Sequence, residues 1–311
     1  MYDTTKPYKN KILKLISNTR HTPYVSIRGG IYSTINRKIN YPEIDHTDGI
    51  GTKGIYHWQK RTFKNAVLDT LAMNLNDLAM ARAIPYKLQN HIIIPKDDHR
   101  AILEIISQLS KECVKRKIAI TGGETSIHNN SEGMDISMTV SGFIPKQKNN
   151  LFRKGDVLFG IRSTGLHSNG FTKVREIFGS NYRPEFIVPT KIYTDQILKL
   201  DKAVKINGMM HITGGAFTKL KQILPKNCDV IIKRNHHLKP HNIFRELNER
   251  GIGDKDMYKT FNCGVGFIFS ANSRNSKKIR ISHNLRVIGQ VISGTGKMSI
   301  ESMFSNKIIE F

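Results

Sequence analysis

The chain has 311 residues, enough for about two domains that each bury a hydrophobic core. Apolar residues make up 39% of it and form no run near the ~18 residues that a membrane helix needs, and the first 20 residues are polar and interrupted by lysines, so we expect neither a membrane span nor a signal peptide. The 49 Lys and Arg exceed the 25 Asp and Glu and give a net charge of +24, but these basic residues are scattered and no basic arm, zinc finger or aromatic RNA-binding motif accompanies them, which argues against nucleic-acid binding.

Three cysteines, Cys113, Cys228 and Cys263, lie far apart and include no C-x-x-C pair. An odd number of dispersed cysteines argues against a disulfide framework and against a zinc site, and it is typical of a reducing compartment. We therefore expect a cytoplasmic location. Cys263 has no basic neighbour in the sequence that would activate a thiolate, so we interpret it as structural.

The first half of the chain alternates helical and extended patterns. Residues 66–83, rich in Ala, Leu and Met, predict a helix, and a second helix is predicted through 97–117 with Asp97 or Asp98 as its N-cap. The apolar IAI at 118–120 predicts a short strand, and 134–144 alternates as a strand. A polar, basic break, PKQKNNLFRKGD, then indicates a linker near residue 150, so we predict domains at 1–150 and 151–311.

The second half repeats this mixture. DVLFGI, CDVIIK and GVGFIF predict strands, whereas FTKVREIFG, a segment around 190–206 and AFTKLKQIL predict helices. In AFTKLKQIL, the residues Phe217, Leu220, Ile223 and Leu224 form an apolar stripe. Because strands and helices alternate in both halves, the predicted fold class is α/β or α+β.

The segment HTDGIGTKG at 46–54 matches the glycine pattern of a dinucleotide-binding loop, but an aspartate stands directly before the first glycine. The preceding NYPEIDHTD is too polar to predict the buried strand that such a loop follows, and a P-loop has a different glycine spacing. A carboxylate repels a pyrophosphate but binds Mg²⁺ that carries phosphate oxygens, so Asp48 is predicted as a metal ligand, with Lys53 reaching phosphate. A glycine-rich turn with a surface aspartate is the alternative interpretation.

Two further acids are candidates for the same site. Asp77 lies in a helix that is otherwise apolar around it, where an aspartate neither caps nor packs. Glu124 follows the pair Gly122–Gly123 at the predicted tip of a strand. Three acids from three segments of a basic chain predict a Mg²⁺–nucleotide site, although each one alone is equally well explained as an ordinary polar residue.

Two histidines lie in glycine-containing turns. His167 stands between Gly165 and Gly170 where a strand passes through a turn into a helix, which presents backbone N–H groups to an anion. The side chain is placed for proton transfer or phosphate contact, and an exposed histidine in a capping turn is the alternative. His211 precedes Gly214 in a similar turn, and the pair of turns favours a site over a structural role.

Together these segments resemble the phosphoribosylformylglycinamidine cyclo-ligase family, also called aminoimidazole ribonucleotide synthetase. The matching segments follow the family's order over nearly the whole chain: TDGIGTK (47–53), LAMNLNDL (71–78), GGET (122–125), GDVLFGIRSTGLHSNGFTKVR (155–175), PTKIY (189–193), HITGGAF (211–217) and MYKTFNCGVGFIF (257–269). TFNCGVG and HSNG with PTKIY are specific to this family. GGET and the TDG loop are shared with a wider ATP-binding superfamily that includes selenophosphate synthetase and thiamin-phosphate kinase.

The resemblance implies an N-terminal ATP-binding domain whose strands pair across a homodimer into a shared barrel, and a C-terminal α/β domain. It also implies an ATP-dependent ligase of purine biosynthesis that cyclises formylglycinamidine ribonucleotide to aminoimidazole ribonucleotide and releases ADP and phosphate. The implied cofactors are ATP and Mg²⁺, and the implied partners are the small-molecule substrate and a second copy of the chain.

The resemblance matches Asp48 and Asp77 to acids of the ATP–metal site, His167 and His211 to histidines of the reaction cleft, and RGGIY at 28–32 to a glycine-rich segment near ATP. The complete predicted site comprises catalytic residues His167, His211 and Asp77, metal ligands Asp48, Asp77 and Glu124, ATP-contacting residues Gly29, Gly30, Asp48, Gly49, Gly51, Thr52, Lys53, Gly122 and Gly123, and substrate-contacting residues Ser168, Asn169, Thr260 and Asn262.

Three segments depart from the family pattern. IPYKLQNHIIIPKDD stands where the family has an aromatic strand, SIHNNSEG replaces a Met/Pro/Gly loop after GGET, and Lys14 is the nearest counterpart of an ATP-proximal lysine. These departures leave open another ATP-using superfamily member that phosphorylates a different small substrate. A basic nucleic-acid-binding or scaffolding protein without catalysis is a third hypothesis, and it predicts loss of the acids, which are present.

Overall fold

A computed structural model describes residues 7–29, 33–276, 279 and 285–311. The chain divides into two compact units, Met1–Gln147 (unit 1) and Lys148–Phe311 (unit 2), and the sequence predicted a boundary near 150. Within the described ranges, every helix is too short or too polar to cross a lipid bilayer.

Over residues 7–29 and 33–147, unit 1 combines four helices with six strands. In chain order they are α1 (Lys9–Ser17), β1 (Val25–Arg28), β2 (Thr34–Arg37), β3 (Glu43–Gly49), α2 (Gly54–Lys60), α3 (Phe63–Met80), β4 (Ile84–Ile94), α4 (His99–Arg116), β5 (Ala119–Ile127) and β6 (Asp135–Phe143), with a 3-10 turn at Gly51–Lys53 before α2. Strands β1 and β2 form a separate antiparallel pair.

The other four strands of unit 1 form one sheet in the order β3-β6-β4-β5, with β4 and β5 parallel and the other neighbours antiparallel. Because successive side chains alternate between faces, the sheet has two different surfaces. One carries buried residues such as Leu88, Met138 and Val140, and α3 and α4 pack against it. The other is polar, and the hydroxyls of Thr47 and Thr139 lie 2.9 Å apart on it.

The predicted helices of unit 1 are present, and two strands differ from expectation. Helix α4 begins after Asp98, whose carboxylate accepts a hydrogen bond from the Ala101 N–H at 2.9 Å. The polar segment before Gly49 is a strand after all, because β3 is an edge strand whose odd-numbered side chains face outward. Strand β4 was not predicted, although its buried and polar residues alternate over 87–92.

The elements described for unit 2 are four helices and seven strands. In chain order they are β7 (Asp156–Arg162), α5 (Phe171–Phe178), α6 (Thr194–Ala203), β8 (Ile206–His211), β9 (Cys228–Ile232), α7 (Asn242–Glu249), α8 (Asp254–Thr260), β10 (Val265–Asn272), β11 (Arg286–Ser293), β12 (Met298–Glu301) and β13 (Ile308–Glu310), with 3-10 turns at Pro184–Ile187, Ala216–Ile223 and Ser273–Asn275. The strands form one sheet in the order β13-β12-β9-β11-β7-β10-β8.

The segment AFTKLKQIL was predicted as an α-helix, and the structure makes it a 3-10 helix over Ala216–Ile223. It begins at Ala216, whose φ is 42°, directly after Gly215, whose φ is 77°. The apolar stripe is nevertheless used as predicted, because Phe217, Leu220 and Ile223 are buried. Mixed α/β architecture is thus present in both units.

Candidate functional site

Strand β3 and helix α3 bring Asp48 and Asp77 to the same flank of unit 1. His46 and Asp48 lie two residues apart on β3 and therefore share the face that α3 covers. The amide of Asn74 on α3 donates to the backbone oxygen of Asp48 at 3.1 Å, and its oxygen lies 3.1 Å from Nδ1 of His46. One turn further along α3, an Asp77 carboxylate oxygen lies 3.4 Å from Nε2 of His46. Asp77 therefore contacts His46, and Asp48 lies two residues from that histidine on the same face of β3.

The electrostatics of this cluster reflect both acids. The pKa of His46 is raised above 6.5, chiefly by its hydrogen bond to Asp77, with Asp48 adding a smaller attraction and partial burial opposing the shift. Asp48 also accepts a hydrogen bond from the Gly49 N–H at 2.7 Å. The cluster concentrates negative charge at the start of the glycine loop, which suits a cation.

The glycines of the loop are required by its packing on β6. Gly51 has φ +55°, and a Cβ on Gly54 would lie 1.9 Å from the backbone oxygen of Met134. Asp135, at the start of β6, accepts a hydrogen bond from the Gly51 backbone, and its pKa is raised, chiefly by burial and further by Asp48. The match to a dinucleotide fingerprint is therefore accounted for by a close turn against a strand. Asp135 was not identified from the sequence.

Lys53 does not occupy the predicted position. Its side chain is 0% exposed, and its ammonium lies 2.8 and 2.9 Å from the two carboxylate oxygens of Asp69, whose side chain is also 0% exposed. An ammonium directed into the interior does not reach a phosphate at the surface, so the expected phosphate contact is not supported by this placement. Sequence reasoning treated Lys53 as a surface group because lysine is almost never fully buried unless it is paired.

Glu124 is separated from the other two predicted metal ligands. It lies within β5 and not at a strand tip, on the edge of the sheet opposite to β3. The register aligns Asp48, Met138, Asn90 and Gly123 across the four strands, and three inter-strand steps of about 4.8 Å place Glu124 ~14 Å from Asp48. Ligand distances of about 2.1 Å for Mg²⁺ exclude that both carboxylates of one chain bind the same ion.

The described residues contain no group of three or more His, Cys, Asp or Glu side chains that could hold a metal ion. A site made of Asp48 and Asp77 alone is still compatible with Mg²⁺, since this ion is usually held by one or two carboxylates together with phosphate oxygens and water. The three-carboxylate site that the sequence predicted is thus reduced to two acids.

A cavity of about 240 Å³ lies beside β5 in unit 1. Gly122, Gly123 and Glu124 line it together with residues of α1 and with Arg20. The guanidinium of Arg20 donates to the backbone oxygen of Gly29 at 2.6 Å, so the first glycine of RGGIY lies close to this cavity. Gly30, the next predicted ATP contact, lies outside the described residues. Thr52 is half-buried in the 3-10 turn.

In unit 2, two predicted catalytic histidines meet. His167 lies in the turn after β7 with φ +64°, and His211 ends β8. Both are buried, and their ring centroids are 6.4 Å apart. The ring of Tyr193 lies 6.1 Å from each of them, and its hydroxyl donates to the backbone oxygen of Arg162 at 3.0 Å. Tyr193 was not predicted as a site residue.

Gly266 allows this packing. It lies at an irregular point of β10, and a Cβ there would lie 2.0 Å from the hydroxyl oxygen of Tyr193 and 2.7 Å from Cε1 of His167. The glycine in TFNCGVG was expected to mark a bulge or a close backbone approach, and here it does both. Cys263 in the same segment is fully buried, which raises its thiol pKa far above 9.0 and agrees with a structural role.

The predicted substrate contacts fall into two groups. Ser168 shares a 2.9 Å hydrogen bond with the hydroxyl of Thr190, and Asn169 lies 3.5 Å from the Cβ position of Gly214. The first contact joins the His167 turn to PTKIY, and the second joins it to the turn after His211. Asn262 instead donates to the backbone oxygen of Gly165 at 2.9 Å, so its amide supports the His167 turn from within the interior.

Thr260, the last residue of α8, is half-buried. Two lysines near the joined turns were missed from the sequence. Lys191 lies 5.3 Å from the centroid of the Tyr193 ring, and partial burial lowers its pKa. Lys219 donates to the hydroxyl of Thr213 at 3.1 Å. Lys191 lies within PTKIY, and Lys219 lies two residues after HITGGAF. The sequence signal that could have identified them was a lysine close to a threonine-containing turn.

Comparison with protein-family models assigns both halves of the chain to one family. The model of the AIR synthase related protein N-terminal domain matches residues 43–144, and that of the C-terminal domain matches 153–300. The chain is 31% identical over 301 residues to the phosphoribosylformylglycinamidine cyclo-ligase of Saccharolobus solfataricus, which covers 93% of this chain and 90% of that relative.

Solved structures share the fold at lower identity. A crystal structure of the hydrogenase maturation protein HypE in complex with ATP superimposes with a TM-score of 0.68 at 15% identity, and covers 99% of this chain and 95% of that one. The thiamine-monophosphate kinase from Stenotrophomonas maltophilia K279a gives 0.67 at 16% identity, with coverage of 94% and 97%. At these identities the likeness concerns the mixed α/β fold.

Proposed function

The chain belongs to the AIR synthase related family, and we propose from that premise that it is an ATP-dependent cyclo-ligase acting on formylglycinamidine ribonucleotide. In this reaction the formyl oxygen takes the γ-phosphoryl group of ATP, the amidine nitrogen attacks the activated carbon, and phosphate leaves. Aminoimidazole ribonucleotide and ADP are the other products. Positioning and charge neutralisation dominate the barrier to such a phosphoryl transfer.

The observation that carries this proposal is the placement of Asp48 and Asp77 on one flank of unit 1, where His46 contacts Asp77 and the amide of Asn74 binds the Asp48 backbone. Two carboxylates on one flank suit Mg²⁺ that is also bound to phosphate oxygens, and this ion would neutralise charge on the triphosphate. We assign Asp48 and Asp77 to that ion. The loop residues Gly49, Gly51 and Thr52 follow Asp48 directly and are assigned to the phosphates.

The cavity beside β5 is the proposed place for another part of the nucleotide. Its lining includes Gly122 and Gly123, which leave backbone groups accessible, together with Arg20. Glu124 also lines this cavity, so we assign it to the nucleotide or a second ion and not to the ion of Asp48.

In unit 2 we assign proton transfer to His167 and His211. When the amidine nitrogen attacks, it must lose a proton, and an imidazole is the side chain best matched to that task near neutral pH. The hydroxyl of Ser168, the amide of Asn169 and the hydroxyl of Thr260 are assigned to the substrate. Lys191 and Lys219 add positive charge near the same turns, which suits the phosphate of a ribonucleotide.

We also propose a homodimer in which the sheets of two copies of unit 1 form a shared barrel. The polar face of the sheet, with Thr47, His91 and Thr139, supports this, since α3 and α4 cover only the opposite face. A cytoplasmic location is proposed because all three cysteines are free thiols.

The test is ADP formation by the purified protein with and without formylglycinamidine ribonucleotide and Mg²⁺. We expect ADP only when both are present, together with aminoimidazole ribonucleotide as the product. Asp77→Asn should abolish turnover while the protein stays folded, whereas Asp97→Asn, at an exposed position before α4, should retain it. ADP formation that ignores this substrate, or that accompanies phosphorylation of another small molecule, would contradict the proposal.

A further inference from the structure

Three ionisable side chains form a cluster in the interior of unit 1. Lys53, His57 and Asp69 are each 0% exposed. Nε2 of His57 lies 2.8 Å from the same Asp69 oxygen that pairs with Lys53, and Nδ1 of His57 lies 2.8 Å from the hydroxyl of Thr62. Within the described part of the chain, Lys53 is the only fully buried lysine.

The charge states within this cluster follow from burial and pairing. Burial alone would raise the pKa of Asp69, but Lys53 and His57 lower it well below 3.8, so the carboxylate is ionised. Burial lowers the pKa of His57 below 6.5 despite Asp69, which leaves the imidazole neutral near pH 7. Burial also lowers the pKa of Lys53 below 10.5, with Asp69 opposing that shift. The ammonium lies 2.8 Å from the carboxylate, so the cluster is one Lys–Asp ion pair with a neutral histidine bonded to it. Such a pair is costly to bury and is weak evidence for stability by itself.

The positions of the cluster in the chain suggest why it is kept. Lys53 lies five residues after Asp48 and is the last residue of the 3-10 turn. Asp69 lies on α3, about two turns before Asp77. His57 lies on α2 and, through Thr62, also contacts the start of α3. The cluster thus joins the loop that presents one proposed metal ligand to the helix that presents the other.

A second connection lies on the surface side of the same two elements. Asn74 of α3 holds the backbone of Asp48, and His46 of β3 contacts Asp77. The loop is therefore attached to α3 at two levels, one beside the acids and one in the interior. Both connections therefore hold the loop against α3.

We propose that Lys53, Asp69 and His57 are positioning residues that set the spacing of Asp48 and Asp77, and that Lys53 does not contact ATP. This inference rests on the proposed function, because it assigns the two acids to Mg²⁺–ATP. Groups that orient metal ligands typically change metal affinity or activity by roughly 10–100-fold when they are removed.

The experiment measures Mg²⁺-dependent binding of a non-hydrolysable ATP analogue by calorimetry, together with kcat, KM and melting temperature. The variants are Lys53→Met and Asp69→Asn, each alone and combined. We expect each single variant to raise the Mg²⁺ concentration for half-saturation about 10–100-fold. The double variant should raise the Mg²⁺ concentration for half-saturation no further than the more strongly affected single variant does, because both changes break the same interaction.

The matched control is Asp156→Asn in unit 2. Asp156 is also a buried acid, and it accepts hydrogen bonds from Asn207 at 2.9 Å and Ser270 at 2.7 Å. Asp156→Asn should lower the melting temperature about as much as Lys53→Met and Asp69→Asn do, but it should leave the Mg²⁺ concentration for half-saturation unchanged. A loss of Mg²⁺–ATP binding in this control that equals the loss in Lys53→Met would assign the effect to general destabilisation and overturn the proposal.

Direct contact between Lys53 and phosphate predicts a different pattern. In that case Lys53→Met weakens binding of the analogue and Asp69→Asn does not, a result that overturns the positioning role. If a single variant fails to fold, Lys53→Met/Asp69→Leu removes both charges and replaces them by apolar groups, which often restores stability. A folded Lys53→Met/Asp69→Leu protein whose Mg²⁺ half-saturation equals that of the wild type would also overturn the positioning role. Failure of the wild type to bind the analogue contradicts the proposed function instead.

Discussion

Gly266→Ala tests whether the packing of His167, His211 and Tyr193 in unit 2 depends on one close backbone approach. The added methyl carbon would lie 2.0 Å from the Tyr193 hydroxyl oxygen and 2.7 Å from Cε1 of His167, and real contacts of this kind are essentially never under 3.0 Å. The Tyr193 side chain must therefore move by about 1 Å, and His167 must move with it. The Tyr193 hydroxyl then loses its bond to the Arg162 carbonyl.

A displacement of about 1 Å at a reacting group costs on the order of 100-fold in rate, which corresponds to about 2.7 kcal/mol of barrier. Overpacking of this kind typically also costs ~1–3 kcal/mol of unfolding free energy. We therefore expect substrate-dependent ADP formation to fall about 100-fold, while binding of the ATP analogue to unit 1 is retained. The assays are coupled ADP release and calorimetry on the same preparation.

Gly253→Ala is the matched control. Gly253 also lies in unit 2, at φ −60°, and a Cβ there meets nothing within 4 Å. It should keep wild-type turnover. The reasoning is refuted if Gly266→Ala turns over at the wild-type rate, or if Gly253→Ala loses as much activity as Gly266→Ala.

Three further predictions concern the loop and the stability of each unit. Asp48→Asn should raise the Mg²⁺ concentration for half-maximal turnover by at least about tenfold, and an unchanged Mg²⁺ titration would remove Asp48 from the metal site. Gly54→Ala, whose Cβ would lie 1.9 Å from the Met134 carbonyl oxygen, should lower the unfolding free energy in urea by roughly 3 kcal/mol, so a neutral effect would show that the loop can shift away from β6. Burial is the main reason that the pKa of His236 falls from 6.5 to about 4. Between these pH values the unfolded chain binds a proton that the folded chain does not. The unfolding free energy should therefore drop by up to roughly 3 kcal/mol as the pH falls from 6.5 to 4. His236→Gln should remove that part of the pH dependence in urea titrations, and an identical pH profile would contradict it.

The sequence predicted several elements correctly because their signals are local. The helix around Asp77 is rich in strong helix formers, and Asp98 caps α4 through a contact three residues away. The family membership that the segment order suggested is confirmed by the domain models and by a relative at 31% identity. The roles of individual site residues stay predictions, since they depend on bound ligands.

The errors have a common cause. β3 was considered too polar for a strand, but an edge strand needs only one buried face, and which face is buried depends on α3. Glu124 was placed with Asp48, but their separation is set by the strand order β3-β6-β4-β5, which no local pattern specifies. No function was predicted for Asp69, because its partners come from the preceding loop and α2.

The sequence by itself determined the class of chemistry: acidic residues beside glycine turns, histidines in a second set of turns, and helices and strands in alternation. These are properties of short segments, where spacing and residue type decide the outcome. Only the tertiary structure decided that Asp48 lies on the same flank as Asp77 and apart from Glu124, and that Lys53 faces the interior and pairs with Asp69. Strand order and helix packing bring together residues that are distant along the chain, and the burial of a charge depends on whether a partner arrives from another element.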